Sequence, residues 1–118
     1  FPPVKGVVTE KYNPAKGHPF IDIAVQNNSA VCAVLDGTVI AAYWTDDTGY
    51  NIQIQHNNDL ISIYKHNTRL LKKVGEKVSA GTTISLAGDA GSISTGSHLH
   101  FELWHKGEPI DPSLYINF

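Results

Sequence analysis

A chain of 118 residues, 42% hydrophobic, can bury one core and is too short to divide into two ordinary domains. Nine basic residues against eleven acidic ones, a net charge of −2, exclude a surface that draws nucleic acid or anionic membrane by bulk charge. No apolar run reaches the roughly 18 residues of a membrane span, and there is no signal-peptide pattern. The opening Phe1-Pro2-Pro3, without methionine, is expected of a domain trimmed from a longer protein, with any leader or anchor upstream of it.

Strand signals dominate from the N-terminal side onward. The pattern predicts strands over 21–25 and 31–35, the second containing the lone Cys32 as a buried small hydrophobe rather than a nucleophile. One cysteine forms no internal disulfide, so cysteine usage leaves the compartment open. Asp36-Gly37 marks a tight turn before a strand over 38–44. Residues 50–56 alternate, with Tyr50, Ile52 and Ile54 on one face and Asn51, Gln53 and Gln55 on the other. Asn57-Asn58-Asp59 reads as a hairpin loop leading to a strand over 60–66. Thr68 to Lys73 is expected to hold a helical turn, and Asp111-Pro112 to start another. A strand over 83–87 precedes a stretch broken by Gly88, Gly91 and Gly96, and the last strand covers 98–104. Short strands separated by turns predict an all-β, antiparallel sandwich or partly open barrel.

The last strand, His98-Leu99-His100-Phe101-Glu102-Leu103, carries the strongest local chemistry. Residues two apart on a strand share a face, so His98 and His100 aim at one spot while Leu99, Phe101 and Leu103 face a core. Such a pair serves a metal or proton-transfer site, or is two surface histidines on an edge strand. Gly17-His18-Pro19-Phe20-Ile21-Asp22 offers partners. Pro19 excludes a helix here, and in an extended chain His18, Phe20 and Asp22 share a face. Joined by one histidine of the last strand, they give two imidazoles and a carboxylate, the donor set of a zinc site with its fourth position left to water. Read alone, Asp22 is also a turn or strand-edge carboxylate. His66 ends a strand on which Ser62, Tyr64 and His66 are expected to share a face; it is a surface residue or the companion of the last-strand histidine that binds no metal. His56 is expected to be structural and His105 to lie on the surface. Glu102 either orients a ligand imidazole or is solvated.

His18 to Asp22, Tyr64-Lys65-His66 and His98 to Glu102 follow one another as H-x-x-x-D, Y-x-H and H-L-H-F-E. Asp36-Gly37-Thr38-Val39, Gly49-Tyr50, Val74 to Gly81 and Gly107 to Pro112 stand between and after them. Over nearly the whole chain these motifs resemble the lysostaphin/LytM-type zinc endopeptidases, which cut peptide cross-links in bacterial peptidoglycan. The resemblance implies one zinc endopeptidase domain over 1–118, the C-terminal catalytic part of a longer envelope protein, with a hammerhead-like strand arrangement of the duplicated-hybrid-motif type. It implies that His18, Asp22 and His100 bind zinc. It implies that His66 and His98 flank the attacking water, one as general base and the other stabilising the transition state, and that Tyr12 helps to stabilise the oxyanion. It further implies peptidoglycan peptides as substrate, in the periplasm or cell envelope, with no nucleic acid and no membrane contact by the domain itself. One position departs from the family: glycine is usual where Phe20 stands. In an extended segment Phe20 walls the metal and narrows the groove; with a kink after Pro19 it turns into the core.

Two other readings compete. An envelope protein of the same fold could bind peptidoglycan or regulate other hydrolases without catalysis, but such members usually lose metal ligands, and all three stand here. Val78 to Ile84 also resembles the hammerhead of lipoyl or biotinyl carrier domains. Those need a lysine at a hairpin tip, and the glycine-rich turn Gly88-Asp89-Ala90-Gly91 has none.

Overall fold

The chain forms its strands where β-branched and aromatic residues alternate with polar ones, since such side chains pack well on a pleated, half-buried surface. In this computed structural model, which describes residues 1–89 and 96–118, they are β1 (Val7–Glu10), β2 (Ile21–Ala24), β3 (Ser29–Cys32), β4 (Gly37–Thr45), β5 (Gly49–Gln55), β6 (Leu60–Leu70), β7 (Lys77–Val78), β8 (Thr83–Ala87), β9 (His98–His105) and β10 (Glu108–Ile110). Among the described residues all pairings are antiparallel, in the order β1-β2-β9-β6-β5-β4-β7, with β10 on β9 and β8 bridging β3 to β6. The fold is all-β and antiparallel as expected, an open sheet in which β6 passes from β9 to β8. Leu99, Phe101 and Leu103 of β9 are fully buried against Ile21 and Ile23 of β2, Tyr64 of β6, and Ile52 and Ile54 of β5. The opposite face of β9 is thereby left to the histidines.

Several details differ from the sequence reading. β1 was not anticipated. Val31 to Leu35 does not run on as one strand: after Cys32 the backbone of Ala33 pairs with Gly81 and Thr82, and Leu35 is exposed. Cys32 is half-buried, not buried. A bulge between Tyr50 and Ile52 turns Tyr50 outward at 37% exposure and Asn51 inward at 1%, breaking the expected alternation. Thr68 to Leu70 is strand rather than a helical turn, because β6 continues past a second bulge to pair with β8. His105 is half-buried. Residues 90 and 91 of the turn weighed for the carrier reading, with Ala90 and Gly91, lie outside the described residues. Asn58 and Asp59 both have positive φ, which closes the β5–β6 hairpin as the Asn-rich loop suggested. The turn at Asp111-Pro112 forms as well, with the Asp111 carboxylate accepting from the Ser113 N–H.

His56 is structural. Its Nδ1 lies 2.8 Å from the Asp36 carbonyl, which can only accept, so Nδ1 carries the proton and Nε2 accepts from Ser62 Oγ at 2.7 Å. Ser62 in turn accepts from the Tyr64 hydroxyl at 2.7 Å, and that hydroxyl accepts from the Val34 N–H at 3.2 Å. The chain of donors is complete only while His56 is neutral. Burial, opposed by the Asp36 carbonyl and carboxylate, holds its imidazole below the ordinary value. Tyr64→Phe should therefore cost about 1–3 kcal/mol in urea unfolding, because it strands buried partners. The folded-state pKa of His56 lies below its unfolded value near 6.5. Its contribution is thus full above about pH 6.5 and is lost as pH falls from there through the folded pKa. Metal-free protein should lose unfolding free energy over that window, and His56→Asn should flatten the loss.

Candidate metal centre

The site is a row across four strands. Glu10 of β1 stands opposite Asp22 of β2, Asp22 opposite His100 of β9, and His100 opposite Lys65 of β6. Directly opposed residues of an antiparallel pair present side chains on one face about 4.5–5.5 Å apart at Cβ, so sheet register alone gathers these groups.

His18 enters from a turn. Asn13, at φ −153° and ψ 81°, precedes Pro14. A 3-10 turn over Pro14–Lys16 ends at Gly17 in the left-handed region, φ 72°, where glycine is unstrained. The backbones of Asn13 and His18 then exchange two hydrogen bonds of 2.7 and 3.0 Å. That bridge puts His18 at the head of β2 with Phe20 and Asp22 on its face, as the extended reading expected. His18 Nε2 is 3.3 Å from Asp22 Oδ2 and 3.2 Å from Glu10 Oε2.

His100 is oriented by Glu102. The imidazole Nε2–H donates to Glu102 Oε2 at 2.6 Å, which leaves the Nδ1 lone pair facing Asp22 Oδ1 at 3.8 Å. Lys65 Nζ at 3.1 Å and the Trp104 indole N–H at 2.8 Å hold the same carboxylate. Burial works to raise the Glu102 carboxyl, but the hydrogen bonds from His100 and Trp104 and the nearby positive charge outweigh it and bring it to about 2. Burial lowers the His100 imidazole, against the pull of Glu102 and Asp22. An ionised Glu102 and a neutral His100 are the forms that leave Nδ1 free to bind a metal.

His66 reaches this face by a backbone reversal. Strict alternation would put it beside Tyr64, whose ring packs on Phe101 in the core at 5.3 Å. His66 instead has φ 68°, and its ring lies 4.5 Å from His98 and 6.1 Å from His100. The expected shared face of Ser62, Tyr64 and His66 is thus corrected. Positive φ at a non-glycine residue is costly and is retained here at the site. His98 Nδ1 donates to the Gly96 carbonyl at 2.8 Å, so its Nε2 carries the lone pair. A groove of about 330 Å³ runs from Thr9, Glu10 and Asp22 to Gly96 and His98. Tyr12 joins none of these groups: its hydroxyl donates to the Pro109 carbonyl at 3.1 Å and its ring packs against the core.

Phe20 is in the site and not in the core. Its ring stacks on His18 at 3.8 Å and on His100 at 3.7 Å, tilted by 36° and 23°. Two rings cannot occupy one face at such distances, so Phe20 is sandwiched between the two imidazoles.

The donors fit zinc in kind. Asp22 Oδ1 is buried with no hydrogen-bond partner and faces a lone pair, an arrangement that a cation between them satisfies. The 3.2 and 3.3 Å separations around His18 are those between donors about 2.0–2.1 Å from one tetrahedral zinc. Glu10, His18 and Asp22 offer ligand atoms within 4.8 Å of one another; His100 stands outside that group, across the Phe20 ring. Glu10 was missed in the sequence, and a β-branched run, Val7-Val8-Thr9, was the signal for the strand that carries it.

The murein hydrolase activator NlpD of Escherichia coli K12 is 36% identical over 116 residues, 97% of this chain and 30% of NlpD. The peptidoglycan DD-endopeptidase ShyA of Vibrio cholerae is 32% identical over 113 residues, 88% of this chain and 26% of ShyA. The chain therefore spans less than a third of these relatives. The crystal structure of a zinc-containing peptidase from Vibrio cholerae superposes with a TM-score of 0.86 at 30% identity, covering 98% of this chain and 39% of that one. Residues 16–112 match peptidase family M23, and the chain belongs to that family.

Proposed function

We propose that this domain is a zinc endopeptidase hydrolysing peptide cross-links or stem peptides of peptidoglycan, outside the cytoplasm. One observation carries the reading: a neutral His100 turns its Nδ1 lone pair toward an unpartnered Asp22 oxygen. His18, Asp22 and His100 would hold zinc, which when bound supplies Lewis acidity to a carbonyl and makes water more acidic. His98 is the general base. Its Nε2, kept free by the Nδ1–H bond to Gly96, takes the proton of the attacking water and later returns it to the leaving amine. His66, 4.5 Å from His98 between rings, stabilises the negative charge that develops on the carbonyl oxygen. The groove from Glu10 to His98 receives an extended peptide.

Similarity to NlpD, an activator of murein hydrolases, favours a second reading, in which the domain switches on another hydrolase. A ring sandwiched between two ligand histidines agrees with a resting site.

Digestion of purified peptidoglycan by zinc-loaded protein, with mass analysis of the products, separates the two. The wild type should release peptides. His98→Ala should keep its zinc while cleavage falls by about 10²–10⁴-fold, and His18→Ala should lose the metal. Intact peptidoglycan with zinc-loaded wild type, together with faster turnover by an added murein hydrolase, would give the second reading.

A further inference from the structure

The row Glu10–Asp22–His100 holds one more carboxylate than a peptidase centre with an open position needs. Like charges directly opposite on neighbouring strands repel, yet Glu10 and Asp22 both turn toward His18 Nε2, at 3.2 and 3.3 Å. The two oxygens of Asp22 face different neighbours: Oδ2 looks to His18, Oδ1 to His100. Phe20 lies between the two histidines.

We propose that the chain has two overlapping metal seats that share His18 and Asp22: a resting seat completed by Glu10, and the catalytic seat completed by His100 once the Phe20 ring leaves. The proposal rests on the reading of His18, Asp22 and His100 as zinc ligands and adds Glu10 to them. Donor distances support the resting seat as it stands. Glu10, His18 and Asp22 already lie within 4.8 Å of one another, with no movement of Phe20. Bringing His100 to the same ion requires His18 and His100 to close on each other, and the stacked ring prevents it. In the resting seat an ion held by one imidazole and two carboxylates lacks His100, so a molecule in that state carries metal without cleaving, and the wild type cleaves only through the fraction in the catalytic seat. Exchange of Glu10 for His100 assembles the centre.

Zinc affinity by chelator competition and the number of bound imidazoles by X-ray absorption test this. In the wild type the absorption spectrum should show one imidazole. Glu10→Gln should weaken zinc by roughly tenfold or more, the loss of a charged ligand, while His100→Ala changes it by less than about threefold. In a Phe20→Gly background the dependence should invert: two imidazoles, strong sensitivity to His100→Ala and little to Glu10→Gln. Two imidazoles in the wild type, or indifference to Glu10→Gln there, overturns the proposal and leaves the peptidase reading intact. One imidazole in the wild type with no cleavage of peptidoglycan by Phe20→Gly overturns the peptidase reading and leaves the resting seat standing.

Discussion

Everything at this site depends on the register of β2 against β9. Asp22 stands opposite His100, and Ile21 and Ile23 opposite Phe101 and Leu99. The same pairing buries four apolar side chains on one face and collects the donors on the other. A slip of one residue would send Asp22 and His100 into the core and the apolar residues to solvent. The burial that stabilises the sheet therefore also fixes Asp22 opposite His100, while a turn brings in His18 and a backbone reversal His66. Its cost is local: a left-handed His66, an unpartnered Asp22 oxygen and two carboxylates side by side.

Hydrogen bonds then assign chemistry to otherwise similar histidines. His100 gives Nε2–H to Glu102, which leaves the Nδ1 lone pair facing Asp22. His98 gives Nδ1–H to Gly96, which leaves the lone pair on Nε2. His56 spends both nitrogens inside the core, on Asp36 and Ser62. In the proposed function identical side chains thus serve as ligand, base and structural link, because carbonyl and carboxylate neighbours select the tautomer.

Period-two alternation made much of this legible beforehand. It gave both faces of β9, the shared face of His18, Phe20 and Asp22, and the all-β class. It failed where the backbone departs from a simple strand. The bulge at Tyr50 reversed two faces, and the left-handed turn at His66 moved that ring from the core side to the site. β6 ran on past His66 because pairing with β8 outweighs the weak helical preference of 68–73. Glu10 was invisible for another reason: its meaning comes from a cross-strand partner twelve residues away, which no local pattern encodes. Tyr12, given its role by position in a motif, has its hydroxyl donating to the Pro109 carbonyl.

The central claim is that Asp22 is the shared anchor of a metal centre built by β2 and β9. Anomalous diffraction at the zinc edge, from crystals grown with one equivalent of zinc, tests it most directly. The account predicts a single strong peak about 2.0–2.2 Å from an Asp22 oxygen and His18 Nε2. A peak elsewhere on the surface, or none at the β2–β9 row with zinc at saturation, would contradict it.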